Sequence, residues 1–190
     1  MGDKIQNLFW FLPRPRTHRN YKGGFPKYFE KLLIELLGHP KLILHPFGGR
    51  AEFGLRVDIK LIVKPDVVAS ASRLPFHSNK FDLVILDPPY SDKESTKLYG
   101  TGRVPLKAAI KESIRVLRPA GWLALYHRLV LPRPRFTILR CRIAVGVGPN
   151  HELRICQVFQ KIPHKHQIEL DTYWNNMKAR IGPIEYERLL

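Results

Sequence analysis

Acidic residues are scarce in this chain: 16 Asp and Glu stand against 32 Lys and Arg, and none lies between Ser113 and His151. Cysteine is scarcer still. Cys141 and Cys156 are too few for a disulfide framework or a four-thiolate zinc site. No apolar stretch approaches the roughly 20 residues that cross a bilayer; runs such as residues 83–86 are strand-sized. Residues 1–12 lack a basic start, an unbroken apolar core and a small-residue cleavage site, so no secretory signal is indicated. There is no Gly-x-x-x-x-Gly-Lys phosphate loop, which argues against nucleotide hydrolysis. His164 and His166 flank Lys165 without the spacing of a defined metal site, and the other histidines are scattered, so no metal is expected. Internal repeats and low-complexity tracts are also missing. What remains is a soluble, cytoplasmic chain of 190 residues, the size of one ordinary domain.

The formal net charge is +16. A surplus of that size favours a polyanionic partner, nucleic acid first and an anionic membrane surface second. Arg115, Arg118, Arg128, Arg133, Arg135, Arg140 and Arg142 fall in the acid-free stretch. Near the N-terminus, Arg14, Arg16, Arg19 and Lys22 lie among Phe9, Trp10, Phe11 and Tyr21. Cations neutralise phosphates and release counterions, while aromatic faces stack on unpaired bases. Arg14, Arg16, Arg19, Lys22, Arg133 and Arg135 are therefore the candidate nucleic-acid contacts. The alternative for the same residues is a solvated basic surface.

Residues 1–24 read as an arm, because Pro13 and Pro15 remove donors and push Leu12 and Arg14 towards extended backbone. Tyr28, Leu32, Leu33, Leu36 and Leu37 recur at helical spacing and predict a helix over 26–37, ended by Gly38 and Pro40. Strands are expected at 42–46, 55–59, 67–69 and 81–86, a helix at 105–117, and a turn at 119–121 leading into a strand at 122–126. Two longer strands at 136–147 and 152–162 form a hairpin. Strand–helix alternation followed by a hairpin predicts an α/β fold, a mostly parallel sheet with one antiparallel edge. The domain spans 25–162, and 163–190 read as a helical tail. Only eight residues separate Pro46 from Leu55, whereas a parallel crossover normally takes about a dozen. The first two crossovers should thus hold at most a helical turn. The thinly covered face would be shielded by the tail, by the helix at 26–37 or by a second copy of the chain in a homodimer.

The sharpest chemical signal is Asp87-Pro88-Pro89-Tyr90, directly after the apolar strand 81–86. Two prolines cannot continue a ladder, so the chain leaves the sheet there, carrying a carboxylate and a phenol to its carboxyl edge. In open α/β sheets that edge binds ligands. A carboxylate and a neighbouring backbone carbonyl are acceptors suited to an exocyclic amino group, and a tyrosine ring can stack on a base. The alternative is a strand-ending turn capped by Asp87. Residues 91–104 are polar, include Gly100 and Gly102, and form a candidate mobile lid, or else an ordinary surface loop.

Asp-Pro-Pro-Tyr after such a strand resembles the catalytic signature of S-adenosylmethionine-dependent amino methyltransferases that act on nucleic acids, a similarity that covers about residues 24–127. The resemblance implies a Rossmann-like class I methyltransferase sheet with catalytic Asp87, Pro88, Pro89 and Tyr90. It implies S-adenosyl-L-methionine as cofactor, with His45, Pro46, Phe47, Gly48, Gly49, Asp58, Ser70, Ala71 and Asp87 around it. His45-Pro46-Phe47-Gly48-Gly49 is similar to the family's first strand and loop, with His45 in place of an aspartate and Ala51 in place of the last glycine. Asp58 matches the ribose-binding carboxylate, and Ser70, in residues 68–76, replaces an aspartate beside the cofactor's adenine. Residues 113–122 match the helix and strand that follow the catalytic loop. The acceptor it implies first is adenine N6 in DNA. An RNA base in rRNA or tRNA is the alternative, favoured by the lack of room for a separate target-recognition domain. A catalytically inactive nucleic-acid-binding protein of the same fold is the third reading.

Overall fold

The structure, a computed structural model, describes residues 4–14, 24–96, 100, 102, 104, 106–148 and 152–163. Its apolar segments form eight strands, β1 (Gln6–Leu12), β2 (Ile43–His45), β3 (Leu55–Asp58), β4 (Val67–Val68), β5 (Phe81–Leu86), β6 (Leu117–His127), β7 (Thr137–Val147) and β8 (Glu152–Lys161). They make one sheet in the order β1-β7-β8-β6-β5-β2-β3-β4. Every adjacent pair is parallel except β6·β8 and β7·β8. After the edge strand β1, the chain passes to the middle at β2, steps outward through β3 and β4, then returns to β5 on the other side of β2. That reversal creates a switch point between β2 and β5, where an α/β sheet opens a crevice at its carboxyl edge.

Two apolar layers sandwich the sheet. Helix α1 (Phe29–Leu36) lays Phe29 and Leu33, one turn apart, on the face that carries Ile43, Leu83, Ile85, Tyr126, Ile143 and Val158. After the short helix α2 (Asp92–Glu94), helix α3 (Leu106–Val116) covers the opposite face. There Ile114 and Val116 join Leu44, Val84, Leu86, Leu123 and Leu125. Lys161 ties α3 to the sheet: its Nζ donates to Ile114 O at 2.8 Å, to Leu117 O at 2.6 Å and to Asn79 Oδ1 at 2.9 Å.

The elements fall within a few residues of their predicted places, and both short crossovers hold: residues 46–54 contain no helix, and β3 reaches β4 through one 3₁₀ turn at Leu61–Val63. Helix α1 is the shield for one face. At the β3–β4 edge, however, Ile59, Leu61, Ile62 and Val68 remain exposed. Three expectations are corrected. The N-terminal segment is not a free arm, because residues 6–12 pair in register with β7 as the outermost strand. Period-2 burial explains it: Leu8, Trp10 and Leu12 face the core while Asn7, Phe9 and Phe11 do not. The antiparallel hairpin is not the sheet's edge, since β8 sits between β6 and β7 and β1 lies outside them. The turn expected at 119–121 is absorbed into β6 as an irregularity, with Ala120 at φ 61°. Residues 15–23 and 164–190, and with them Arg16, Arg19, Lys22 and the expected tail helix, lie outside the described residues.

Candidate active site

Because β2 to β6 are parallel, His45, Asp58, Asp87 and His127, which end or directly follow their strands, share the carboxyl edge of the sheet. Three loops there are stitched together. Gly48 N–H donates to Val57 O at 2.8 Å and Gly49 N–H to Asp58 Oδ2 at 3.3 Å, joining the glycine loop to β3. Ala69 N–H donates to Asp58 O at 3.2 Å, bringing in the loop that holds Ser70 and Ala71. Ser70 Oγ lies 2.8 Å from Ser72 Oγ, and Ala71 is buried. Asp58 Oδ1 also accepts from Lys60 N–H at 2.9 Å. A carboxylate has about four acceptor positions, so Asp58 keeps capacity for further donors. Residues Leu74 to Phe76 are pinned beneath by Glu112, which accepts from Leu74 N–H, and by Arg115, which donates to the carbonyls of Leu74 and Phe76.

Gly48 is needed for a reason the sequence did not disclose. A Cβ there would stand 2.6 Å from Arg56 Cβ and 2.8 Å from its Cα, so the residue is small to let the loop lie against β3. His45 is likewise placed differently from expectation. It is fully enclosed, neither ring nitrogen has a hydrogen-bond partner among the described residues, and Nε2 lies 3.4 Å from Oε1 of Glu30 without hydrogen-bond geometry. Burial pushes its pKa down to about 4, so the ring is neutral. Glu30, on α1, is the residue missed by sequence reading. It is buried, and burial pushes its carboxyl up to about 7. It accepts from Glu52 N–H at 3.1 Å and from Phe53 N–H at 3.4 Å, holding the far end of the glycine loop. Position 45 thus carries an imidazole, and a carboxyl group from another element stands beside it. Only its place on the apolar face of an amphipathic helix could have flagged Glu30.

Across the switch point, Asp87 is half-buried and Pro88 buried. Tyr90 folds back so that its O–H donates to Asp87 Oδ1 at 3.1 Å, and Arg154 Nε donates to the same phenol oxygen at 3.3 Å. The guanidinium carbons of Arg128 and Arg154 lie 4.8 and 5.1 Å from the ring centroid, and His127 meets the ring edge-on at 5.1 Å. Burial, then the Asp87 charge, drive the Tyr90 pKa upward, so the phenol stays protonated. Arg154 sits at the start of β8, antiparallel to β6, which is why a residue so distant in sequence reaches this edge.

The remaining basic candidates divide. Arg14 follows β1 at the carboxyl edge and packs on Gly148. Arg133 donates to Thr137 O at 3.3 Å, at the start of β7, which places it and nearby Arg135 towards the opposite edge from the tetrad. Arg118 pairs with Asp82 at 2.6 Å. Residues 91–104, the candidate lid or surface loop, are described only in part; Val104 N–H donates to Asp92 Oδ1 at 3.2 Å. A groove of about 360 Å³ lined by Lys4, Gln6, Trp122, Arg140 and Gln160 opens at the amino edge, away from Asp87 and Tyr90. Among the described residues no His, Cys, Asp and Glu cluster can hold a metal ion, and no helix is long and apolar enough to cross a membrane.

No protein-family model matches the sequence, and no curated protein matches it. Solved structures do. The yhhF protein of Escherichia coli, itself a candidate methyltransferase, is 12% identical over 74% of this chain and 89% of its own, with a TM-score of 0.52. The N-methyltransferase NodS of Bradyrhizobium japonicum is 10% identical over 72% of this chain and 98% of its own, at 0.46. The 1,6-didemethyltoxoflavin-N1-methyltransferase of Burkholderia thailandensis, solved with bound S-adenosylhomocysteine, is 16% identical over 72% and 78%, at 0.42. The first of these likenesses shows the fold: the chain shares that protein's α/β architecture.

Proposed function

We propose that the protein is an S-adenosylmethionine-dependent methyltransferase acting on an exocyclic amino group of a nucleic-acid base, with adenine N6 in DNA as first acceptor and an RNA base as the alternative. One observation carries this reading: Asp87 emerges at the carboxyl edge beside the switch point, opposite three stitched loops bearing Gly49, Asp58 and Ser70. Those loops fit the cofactor's chemistry, with a carboxylate for ribose hydroxyls, a serine hydroxyl for an adenine amino group, and glycine backbone at the end of β2. When bound, S-adenosylmethionine supplies an electrophilic methyl group.

The chain's own residues would then act by positioning. Asp87 and the Pro88 carbonyl would accept hydrogen bonds from the acceptor's amino group and orient its lone pair for attack. The neutral phenol of Tyr90 already donates to Asp87 and fixes that carboxylate's orientation, with Arg154 behind it. In a duplex the target base would have to be turned out of the stack. The basic surplus supports a polyanionic acceptor rather than a small neutral one. Asp87→Ala should abolish methyl transfer from labelled cofactor to DNA or RNA while calorimetry shows cofactor affinity within a few-fold of wild type. Retained turnover in that variant would remove Asp87 from the mechanism.

A further inference from the structure

Strand alternation and register define the sheet surface opposite α1 at its β1 end. Asn7, Arg142 and Gln157 form one row, Phe9, Ala144, Ile155 and His127 the next, and Phe11, Gly146 and Leu153 the third. Trp10, Leu8 and Leu12 point the other way, into the core. Phe9 is 66% exposed, Phe11 55% and Leu153 51%. Two adjacent aromatic rings on an outer strand are otherwise a liability, exposed to water and to edge pairing. Here β7 offers Ala144 and Gly146 beneath them. A Cβ on Gly146 would meet Phe11 Cδ2 at 2.9 Å and Phe9 Cζ at 3.5 Å, so both rings rest on the neighbouring strand. The central row runs from exposed Phe9 through half-buried Ile155 and ends at His127, which is buried with its ring edge-on to Tyr90. Three inter-strand steps of about 4.8 Å separate β1 from β6, a distance that nucleotides flanking a base at Asp87 can span.

We infer that this face is a stacking platform for unpaired nucleotides next to the target base, with Phe9 and Phe11 as the stacking rings. The inference rests on the proposed nucleic-acid substrate and adds its strandedness and its route across the protein. Ring faces bind unpaired bases regardless of sequence, whereas a duplex hides its base faces. Cations border the platform as a phosphate backbone requires: Arg142 in the first row, Arg14 over Gly148 at the end of β7, and Arg128 beside Tyr90. A second copy of the chain is the poorer occupant, because two molecules of net charge +16 would bring like-charged rims together.

The test is fluorescence anisotropy on the full-length protein with a labelled oligonucleotide of about 12 nucleotides, as single-stranded DNA, single-stranded RNA and duplex. The double variant Phe9→Ala, Phe11→Ala should weaken binding of at least one single strand tenfold or more, with an unchanged salt slope and unchanged duplex binding. Phe9→Tyr with Phe11→Tyr should restore affinity to within a few-fold. Thermal melting of each variant checks that the sheet edge is intact. Equal single-strand affinity in the alanine variant, or an equal loss on duplex, overturns the platform while leaving a nucleic-acid substrate standing. No binding of any strand by the wild type removes both. A wild type that dimerises through these rings, with strand binding unaltered by their removal, overturns the platform in favour of self-association.

Discussion

At the scale of single residues, the pair beneath the glycine loop makes a pH prediction whose two halves oppose. The Glu30 carboxyl is raised by burial from 4.5 to about 7, so the folded state holds a proton that the unfolded state has released. Its contribution is fully present below about pH 4.5 and is lost as pH rises through 7. The His45 imidazole is lowered from 6.5 to about 4. Folding resists its protonation, so its contribution is present above pH 6.5 and is lost as pH falls through 4. Between about pH 4.5 and 6.5 the two slopes, each up to about 1.4 kcal/mol per pH unit, run in opposite directions and the wild type should be nearly flat. Glu30→Gln should expose the histidine term and give stability that rises with pH across that window. His45→Gln should do the reverse. Denaturant midpoints at a series of pH values measure both, and flat profiles for both variants would show that the pair is not coupled to folding. The pair was half legible in the sequence: His45 stood out at the end of a strand where the resemblance calls for an aspartate, whereas Glu30 could be flagged only by its place on the apolar face of a helix.

At the scale of elements, what was legible follows from what periodicity encodes. Residues 83–86 are apolar on consecutive positions, which marks a strand covered on both faces, and the β5 found there delivers Asp87 to the carboxyl edge. Short crossovers were legible because chain length bounds reach. Strand order was not, because pairing partners of β1 and β8 are set by contacts far along the chain. Arg154 shows the consequence: nothing near it in sequence says that it ends beside Tyr90. Lys161 is a second long-range contact of this kind, joining the end of α3 to β8 through two main-chain carbonyls. Lys161→Met keeps the aliphatic stem but leaves those carbonyls without their charged donor, and should cost about 1–3 kcal/mol. The measurement is a lower denaturant midpoint at constant m-value. An unchanged midpoint would mean that solvent replaces the ammonium without loss.

At the scale of the whole molecule, the +16 charge overstates the nucleic-acid footprint, because many of its cations are structural. Arg115 serves Glu112 and two carbonyls, Arg118 serves Asp82, Arg140 donates to Gln160, and Arg154 holds Tyr90 and Glu152. Arg14 and Arg128 stand at the carboxyl edge, Arg128 beside Tyr90 and Arg14 against Gly148 at the β1 end of the sheet. If nucleic acid lies along that edge, each phosphate they neutralise adds about 0.7–0.9 to the slope of log K against log salt. Arg14→Ala and Arg128→Ala should each reduce the slope by about that amount on single strands. Arg118→Ala should leave it unchanged while lowering thermal stability slightly, since Asp82 then loses the guanidinium and keeps the Lys41 and Leu42 N–H donors. Arg135, grouped by composition with the nucleic-acid contacts, lies towards the other edge, so Arg135→Ala should not change the slope either. A salt titration of oligonucleotide binding across the four variants separates the edges. Equal slope losses for Arg14, Arg128 and Arg135 would mean that the strand wraps the molecule, and that net charge rather than the geometry of the carboxyl edge decides where it binds.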